Sequence, residues 1–284
     1  MTINQIYIKG KLILKEAGNE NPAFDCMCIL QHCFRINRHY LIMNGNTEAD
    51  KNKEKNFFNF ISKRAKGYPL QYLLGEWEFM GLKFIVGEGV LIPREDTETL
   101  VNECLMHISK KEKPEVLDLC AGSGAIGISI ASLKKDSHVT CVEYSDDAFE
   151  YLKKNVINNN VDDVSCIKGD IFKDISSLKN KKFDAIVSNP PYIKTSEIGS
   201  LQVEVKYEPY MALDGGEDGL SFYRVISQKW VKEYLKVGGL IAVEIGMGQG
   251  GDVKKIFEDA KLSNIQLAND IHGVERVVYA VKTE

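Results

Sequence analysis

Val116-Leu117-Asp118-Leu119-Cys120-Ala121-Gly122-Ser123-Gly124-Ala125-Ile126-Gly127 decides the fold. A β-rich apolar run ends in a tight loop with two glycines, and small or apolar residues then continue at helical spacing to Leu133. Strand, glycine loop and helix in that order open a doubly wound sheet. Outward from this unit the alternation repeats. Val139–Glu143, Val164–Ile167, Phe183–Val187 and Gly239–Glu244 read as further strands, with helices over Phe149–Asn158, within Gly215–Tyr234 and over Gly250–Ala260. Ile265–Leu267 and Arg276–Val281 read as a closing hairpin. The expected architecture is α/β, a Rossmann-like doubly wound and mostly parallel sheet.

Ahead of the sheet the periodicity is helical. Ile3, Ile6, Ile13 and Leu14 recur on one face up to Gly18, Asn21-Pro22 reads as a helix start, and Thr47 as the cap of a third helix ending at Gly67. Trp77–Phe79, Lys83–Val86 and Val90–Ile92 alternate around glycines as a hairpin linker. The expected domains are a small helical domain over 1–75, a β-hairpin linker over 76–93 and a catalytic domain over 94–284.

Composition narrows the possibilities. The 284 residues are 44% hydrophobic and 27% charged with a formal net charge of -4, so the chain has no global basic field for nucleic acid. No apolar run reaches the roughly 20 residues of a membrane span. Met1-Thr2-Ile3-Asn4 lacks the charged-then-apolar pattern of a secretory leader, so a cytoplasmic protein is expected. Seven cysteines contain no C-x-x-C and five histidines no H-E-x-x-H, so neither disulfides nor a metal site is expected.

The glycine loop carries the cofactor argument. Backbone amides at a helix N-terminus suit a nucleotide-like ligand, with Gly122 and Gly124 allowing close approach. Glu143, 19 residues after Gly124, stands where an acid accepts from ribose hydroxyls. Asp170 is placed to take an exocyclic amine, with Ile171 and Phe172 packing on its ring, and Asp118 to orient the loop or reach the ligand's amino group. Gly122–Gly127 also matches G-x-G-x-x-G, so the loop alone leaves a nicotinamide dinucleotide as a rival.

A second stretch breaks the tie. Ser188-Asn189-Pro190-Pro191-Tyr192 follows the strand Phe183–Val187 directly. Two prolines end that strand in a stiff bracket at the carboxyl edge of the sheet, where open α/β sheets bind ligands. The Asn189 amide, the Pro190 carbonyl and the Tyr192 ring offer two acceptors and a flat surface, which suit a planar NH₂ group. Hydride transfer needs a proton relay, yet the strand–helix half contains no Tyr-x-x-x-Lys and no catalytic His. Methyl transfer needs only a nucleophile held in line.

Asp118–Gly124 together with Asn189-Pro190-Pro191-Tyr192 resembles class I S-adenosylmethionine methyltransferases acting on planar nitrogens, which include adenine-N6 and glutamine-N5 enzymes. Pro69–Gly75, Phe79, Leu91–Glu98, Tyr207-Glu208-Pro209 and Gly273–Val277 look like the peptide chain release factor glutamine methyltransferase (PrmC/HemK) family. The similarity runs from about residue 69 to the C-terminus, and the helical segment matches only in size and position. Cys120, Ala121 and Ile171 depart from residues common in the family.

The resemblance implies S-adenosylmethionine as donor, S-adenosylhomocysteine as product and the glutamine of a Gly-Gly-Gln motif in release factors as acceptor. It implies Asn189, Pro190 and Tyr192 as catalytic. The donor would lie against Asp118, Cys120, Ala121, Gly122, Ser123, Gly124, Glu143, Asp170, Ile171 and Asn189. The substrate would meet Asn189, Pro190, Pro191, Tyr192, Arg94 and Glu95. Independently of the resemblance, Glu208-Pro209 and Asp214–Gly216 read equally as a flap near the cleft or as an ordinary connecting loop. A monomer with no nucleic-acid partner is expected. The alternative is adenine-N6 methylation of DNA or RNA, which ordinarily calls for a basic groove to hold a flipped base.

Overall fold

Thr2 starts the first helix with a reciprocal cap. Its hydroxyl accepts from Gln5 N at 3.2 Å while Gln5 Oε1 accepts from Thr2 N at 2.9 Å. The computed structural model describes residues 1–284, in two compact units. The smaller comprises Met1–Glu76 with Gln202–Tyr207, the larger Trp77–Leu201 with Glu208–Glu284.

The smaller unit contains α1 (Ile3–Glu16), α2 (Pro22–Phe34), α3 (Arg38–Asn44), α4 (Lys51–Arg64) and α5 (Leu70–Leu74). Ile3, Ile6 and Leu14 of α1, Cys26, Ile29 and Leu30 of α2 and Phe57 and Ile61 of α4 form its core. Pro22 occupies the first turn of α2 as the sequence predicts, although Asn21 makes no side-chain cap. Thr47 does not cap α4. Asp50 does, its Oδ1 accepting from both Asn52 N and Lys53 N, at 2.9 and 3.0 Å. A carboxylate facing the positive end of the helix dipole makes the stronger cap.

At the C-terminal end of α4, buried Arg64 donates through Nε to Asp25 of α2 at 2.6 Å and through an η nitrogen to Glu204 at 2.5 Å. The Tyr68 and Tyr207 rings meet edge-on at 5.1 Å. These contacts account for the presence of Gln202–Tyr207 in the helical unit, a strap that the sequence reading leaves in the catalytic domain. The expected linker span contains the hairpin of β1 (Glu76–Phe79) and β2 (Leu82–Ile85), which is anchored by Asn155. Its Oδ1 accepts from Ile85 N at 2.6 Å, and its Nδ2 donates to Ile85 O at 3.1 Å and to Ser123 O at 3.0 Å. Val90–Ile92 is not a strand, since Ile92 N donates to the Glu208 carboxylate at 3.1 Å.

In the larger unit α6 (Glu98–Ile108), β3 (Glu115–Leu119), α7 (Ala125–Leu133), β4 (His138–Glu143), α8 (Asp146–Asn158), β5 (Val164–Lys168) and β6 (Phe183–Ser188) precede a long connection. Then follow α9 (Ser221–Val225), α10 (Lys232–Tyr234), β7 (Leu235–Glu244), α11 (Gly250–Asp259), β8 (Ser263–Asn269) and β9 (Glu275–Val281). The sheet order is β5-β4-β3-β6-β7-β9-β8, parallel except for β9, which pairs antiparallel with β7 and β8. The doubly wound sheet expected from the sequence is therefore present, its central strands buried on both faces. The single helix expected before β7 is interrupted by a π-helical turn at Ile226–Val231. That turn carries Trp230, which is fully buried, stacks on Tyr234 and donates to Ile171 O at 2.9 Å.

Removing the cation from the buried pair leaves Asp25 without its guanidinium in a site that excludes water. Arg64→Met is expected to destabilise the protein by about 3–5 kcal/mol, the usual cost of orphaning a buried charge, as measured by denaturant unfolding.

Candidate active site

The chain reverses its winding between β3 and β6, and both strands end there at one level. Leu119 pairs with Ser188, and Ser188 Oγ donates to Leu119 O at 2.7 Å. From the end of β3 the chain turns into Cys120–Gly124, and from the end of β6 into Asn189–Tyr192. The crevice at this switch point is where an open parallel sheet receives its ligand. A cavity of about 430 Å³ lies there. Its lining includes Cys120, Ala121, Gly122 and Ser123 of the glycine loop, Glu143, Asp170 and Ile171 from the ends of β4 and β5, and Arg94, Thr97, Asn189 and Pro191. Pro209–Ala212, Asp214 and Phe222 also contribute to its wall.

The loop geometry separates the two glycines. Gly122 has φ +56°, and the space that a Cβ would occupy is open, so ligand approach is what it permits. Gly124 has φ +84°, and a Cβ there would lie 2.5 Å from Leu152 Cδ1 and 2.7 Å from Ile128 Cδ1. It is a packing and turn glycine, and it does not line the cavity. Asp118 lies beneath the loop rather than in its wall. Fully buried, it accepts from Gly127 N through Oδ2 at 2.9 Å, and Oδ1 has no partner. Burial raises its carboxyl to about 8.

Glu143 reaches the cavity from the end of β4. Its carboxylate accepts from Gly122 N at 2.7 Å and Ser145 N at 2.6 Å, which leaves further lone pairs for a diol. Burial raises its pKa while those two donors oppose the shift. Asp170 caps the turn after β5 by accepting from Phe172 N at 2.9 Å. The Phe172 and Phe222 rings meet edge-on at 5.0 Å beside it. Two carboxylates at adjacent strand ends, an open glycine cradle and an aromatic pair fit a nucleoside-like ligand. No group of three His, Cys, Asp or Glu side chains is placed to hold a metal ion, and no helix is long and apolar enough to cross a membrane.

The bracket is braced from behind. Asn189 Nδ2 donates to Thr97 Oγ1 at 3.3 Å, and Thr97 Oγ1 donates to Glu244 Oε2 at 2.5 Å. Glu244 Oε1 accepts from Tyr192 Oη at 3.4 Å, and the Tyr192 carbonyl accepts from Gln249 Nε2 at 2.9 Å. Burial pushes Glu244 up to about 7, and its bond to Thr97 acts in the opposite sense. The network engages the Tyr192 hydroxyl, and the Tyr192 side chain does not line the cavity. Its ring packs by Gly246, and burial followed by the Glu244 charge holds the phenol neutral. Pro190 is buried and likewise does not line the cavity, and its carbonyl accepts no hydrogen bond from the chain.

Of the expected substrate contacts, Arg94 lines the cavity and is paired with the Glu208 carboxylate, whereas exposed Glu95 opens a 3-10 turn and stays out of the wall. Sequence reasoning missed Thr97, Phe222 and Glu244 as members of the site. Glu244 had a signal, because it ends an apolar strand as Glu143 does, whereas Phe222 had none.

Comparison with known proteins follows the same division. Residues 5–75 match the PrmC N-terminal domain family and residues 97–204 the methyltransferase small domain family. A release factor glutamine methyltransferase of Clostridium acetobutylicum is 42% identical over 99% of both chains. One from Fusobacterium nucleatum is 41% identical over 98% of this chain and 78% of its own. Among solved structures, the hMettl16 catalytic domain in complex with a MAT2A 3'UTR hairpin superposes with a TM-score of 0.58 over 83% of each chain. At 14% identity, that likeness concerns the fold alone.

Asp118 provides a pH test of the geometry. Its folded value lies above the ordinary aspartate value of 3.8, so between 3.8 and about 8 the folded state binds a proton that the unfolded state has released. The group's stabilisation is complete at acid pH and is lost as pH rises through about 8. Thermal unfolding of the wild type and Asp118→Asn, which cannot titrate, is expected to shift against the wild type between about pH 5 and pH 8.

Proposed function

This chain belongs to the release factor glutamine methyltransferase family, and on that premise we propose that it methylates the side-chain N5 of the glutamine in the Gly-Gly-Gln motif of peptide chain release factors. Such a substrate would place the enzyme in the cytoplasm. The observation that carries the reading at the level of atoms is Asn189. Its amide lines the cavity with NH₂ committed to Thr97, which leaves Oδ1 as an unengaged acceptor one strand away from the glycine loop.

The cavity fits S-adenosylmethionine. Gly122 leaves an open cradle, Glu143 would hold the ribose hydroxyls and Asp170 the adenine amine, and Ile171, Phe172 and Phe222 supply apolar and aromatic walls. When bound, S-adenosylmethionine would supply an electrophilic methyl group on a positively charged sulfur, with S-adenosylhomocysteine as the leaving group.

An amide nitrogen is a poor nucleophile because its lone pair is delocalised into the carbonyl. Asn189 Oδ1 and the Pro190 carbonyl accept its two N–H bonds and fix the direction in which the nitrogen faces. Both oxygens carry partial negative charge, so they also offset the positive charge that grows on the nitrogen as it is alkylated. The excess proton then passes to water. Pro190 and Pro191 hold the bracket rigid, and Tyr192 acts as its brace through Glu244 and Gln249 rather than as a stacking surface. Arg94, tied to Glu208, lies where an incoming backbone carbonyl would find a donor.

Incubation with labelled donor and, in parallel, a purified release factor, DNA and RNA is expected to label the release factor alone, at its Gly-Gly-Gln glutamine. Label on adenine would overturn the assignment. Asn189→Ala is expected to keep the fold and donor affinity while turnover falls by roughly two to three orders of magnitude, the usual loss when one oriented dipole is removed. Turnover near the wild-type rate would contradict the role given to this side chain.

A further inference from the structure

An asparagine amide presents an acceptor on one side and two donors on the other, and a half-turn about its last bond exchanges them. At Asn189 that exchange would decide whether the cavity meets C=O or NH₂. With NH₂ inward, the site would confront the substrate's NH₂ with like donors. Some feature of the protein has to select one orientation.

We propose that Thr97 and Glu244 are positioning residues that lock the Asn189 side-chain oxygen toward the substrate amide, an inference that rests on the glutamine-methylating reading of the site. Thr97 has one hydroxyl hydrogen, and Glu244 Oε2 receives it at 2.5 Å. While Glu244 is ionised it can only accept, so that hydrogen is committed and the Thr97 oxygen in turn can only accept. The group 3.3 Å away must therefore be the NH₂ of Asn189, and Oδ1 must face the opposite way. Polarity thus runs in one sense from Asn189 through Thr97 to Glu244.

The end of the relay is fixed from several sides. Glu244 is 2% exposed at the C-terminal end of β7. Tyr192 Oη donates to its other carboxylate oxygen, and Tyr223 Oη donates to its backbone carbonyl at 2.9 Å. Arg276 of β9 lies close enough to favour its charged form, while Asp96 opposes it. Arg276 in turn is held by Asp270 at 2.9 Å and by Asp96 at 3.1 Å. The carboxylate therefore cannot swing away from Thr97 without also losing the Tyr192 hydroxyl. Thr97 itself is held by the 3-10 turn that opens α6, so the acceptor reaches Asn189 from an element that shares no strand with the bracket.

The test is a double-mutant cycle with full-length protein and purified release factor. Thr97→Val keeps the shape and deletes the hydroxyl, whereas Thr97→Ser keeps the hydroxyl. Thr97→Val is expected to lower kcat by about 10- to 100-fold, the scale of a misoriented reacting group, with KM and donor affinity changed by no more than about twofold. Thr97→Ser is expected to restore most of the rate. In an Asn189→Ala background, Thr97→Val should cost nothing further, because its effect passes through that amide. In protein free of donor and substrate, the Asn189 side-chain NH₂ resonances, assigned by their loss in Asn189→Ala, should move in Thr97→Val and stay in Thr97→Ser.

A Thr97→Val enzyme with normal kcat, or one whose loss persists undiminished on top of Asn189→Ala, overturns the proposal. Should that variant fail to bind donor, Thr97→Ala, which adds no volume, carries the same comparison. Full turnover in Asn189→Ala alone would instead strike the reading of the site on which the proposal rests, so the two failures are told apart.

Discussion

The pairing of β3 with β6 is the constraint on which the site depends. These strands are separated by 63 residues of chain between Leu119 and Phe183, yet they run parallel with Leu119 opposite Ser188. Neighbouring strands lie about 4.8 Å apart, so the loops that leave them begin within one strand spacing of each other. One loop is rich in glycine and gives way to a ligand. The other is rich in proline and does not. A register slip of one residue would turn Asn189 to the opposite face of the sheet and leave the glycine cradle facing nothing reactive.

Around that pairing, acids are used according to depth. Glu143 and Asp170 sit at strand ends within reach of a ligand and are held by backbone N–H groups. Asp118 and Glu244 lie one layer lower, where burial raises their pKa values to about 8 and about 7. The deeper pair act on the loops above them, Asp118 by accepting from Gly127 N and Glu244 by ordering Thr97 and Tyr192. In a water-poor layer each of these bonds is hard to replace, so the loops inherit the rigidity of the sheet beneath them.

The helical unit is organised by a different interaction, the buried guanidinium of Arg64. It joins Asp25 on α2 to Glu204, which lies 140 residues away in sequence. Glu204 belongs to a strap that runs straight on through Glu208 to Pro209–Ala212 in the cavity wall.

Local chemistry was enough to expose the strand–loop–helix alternation, the carboxylate that ends β4 and the proline bracket, because backbone propensity and hydrophobic period are properties of neighbouring residues. It was also enough to place Glu143 and Asp170 at strand ends that border the cavity, since a strand's end is a local event. Partner choice was not legible. The Tyr192 hydroxyl turns to Glu244 rather than to the cavity, and Thr97 finds Glu244 across 147 residues. Asp50 displaces Thr47 as a cap through a competition between two side chains that nothing in the hydrophobic pattern ranks. Sequence fixes which groups stand at each strand end, whereas the direction a buried side chain faces is settled only when the folded chain supplies its one available partner and excludes water from the alternatives.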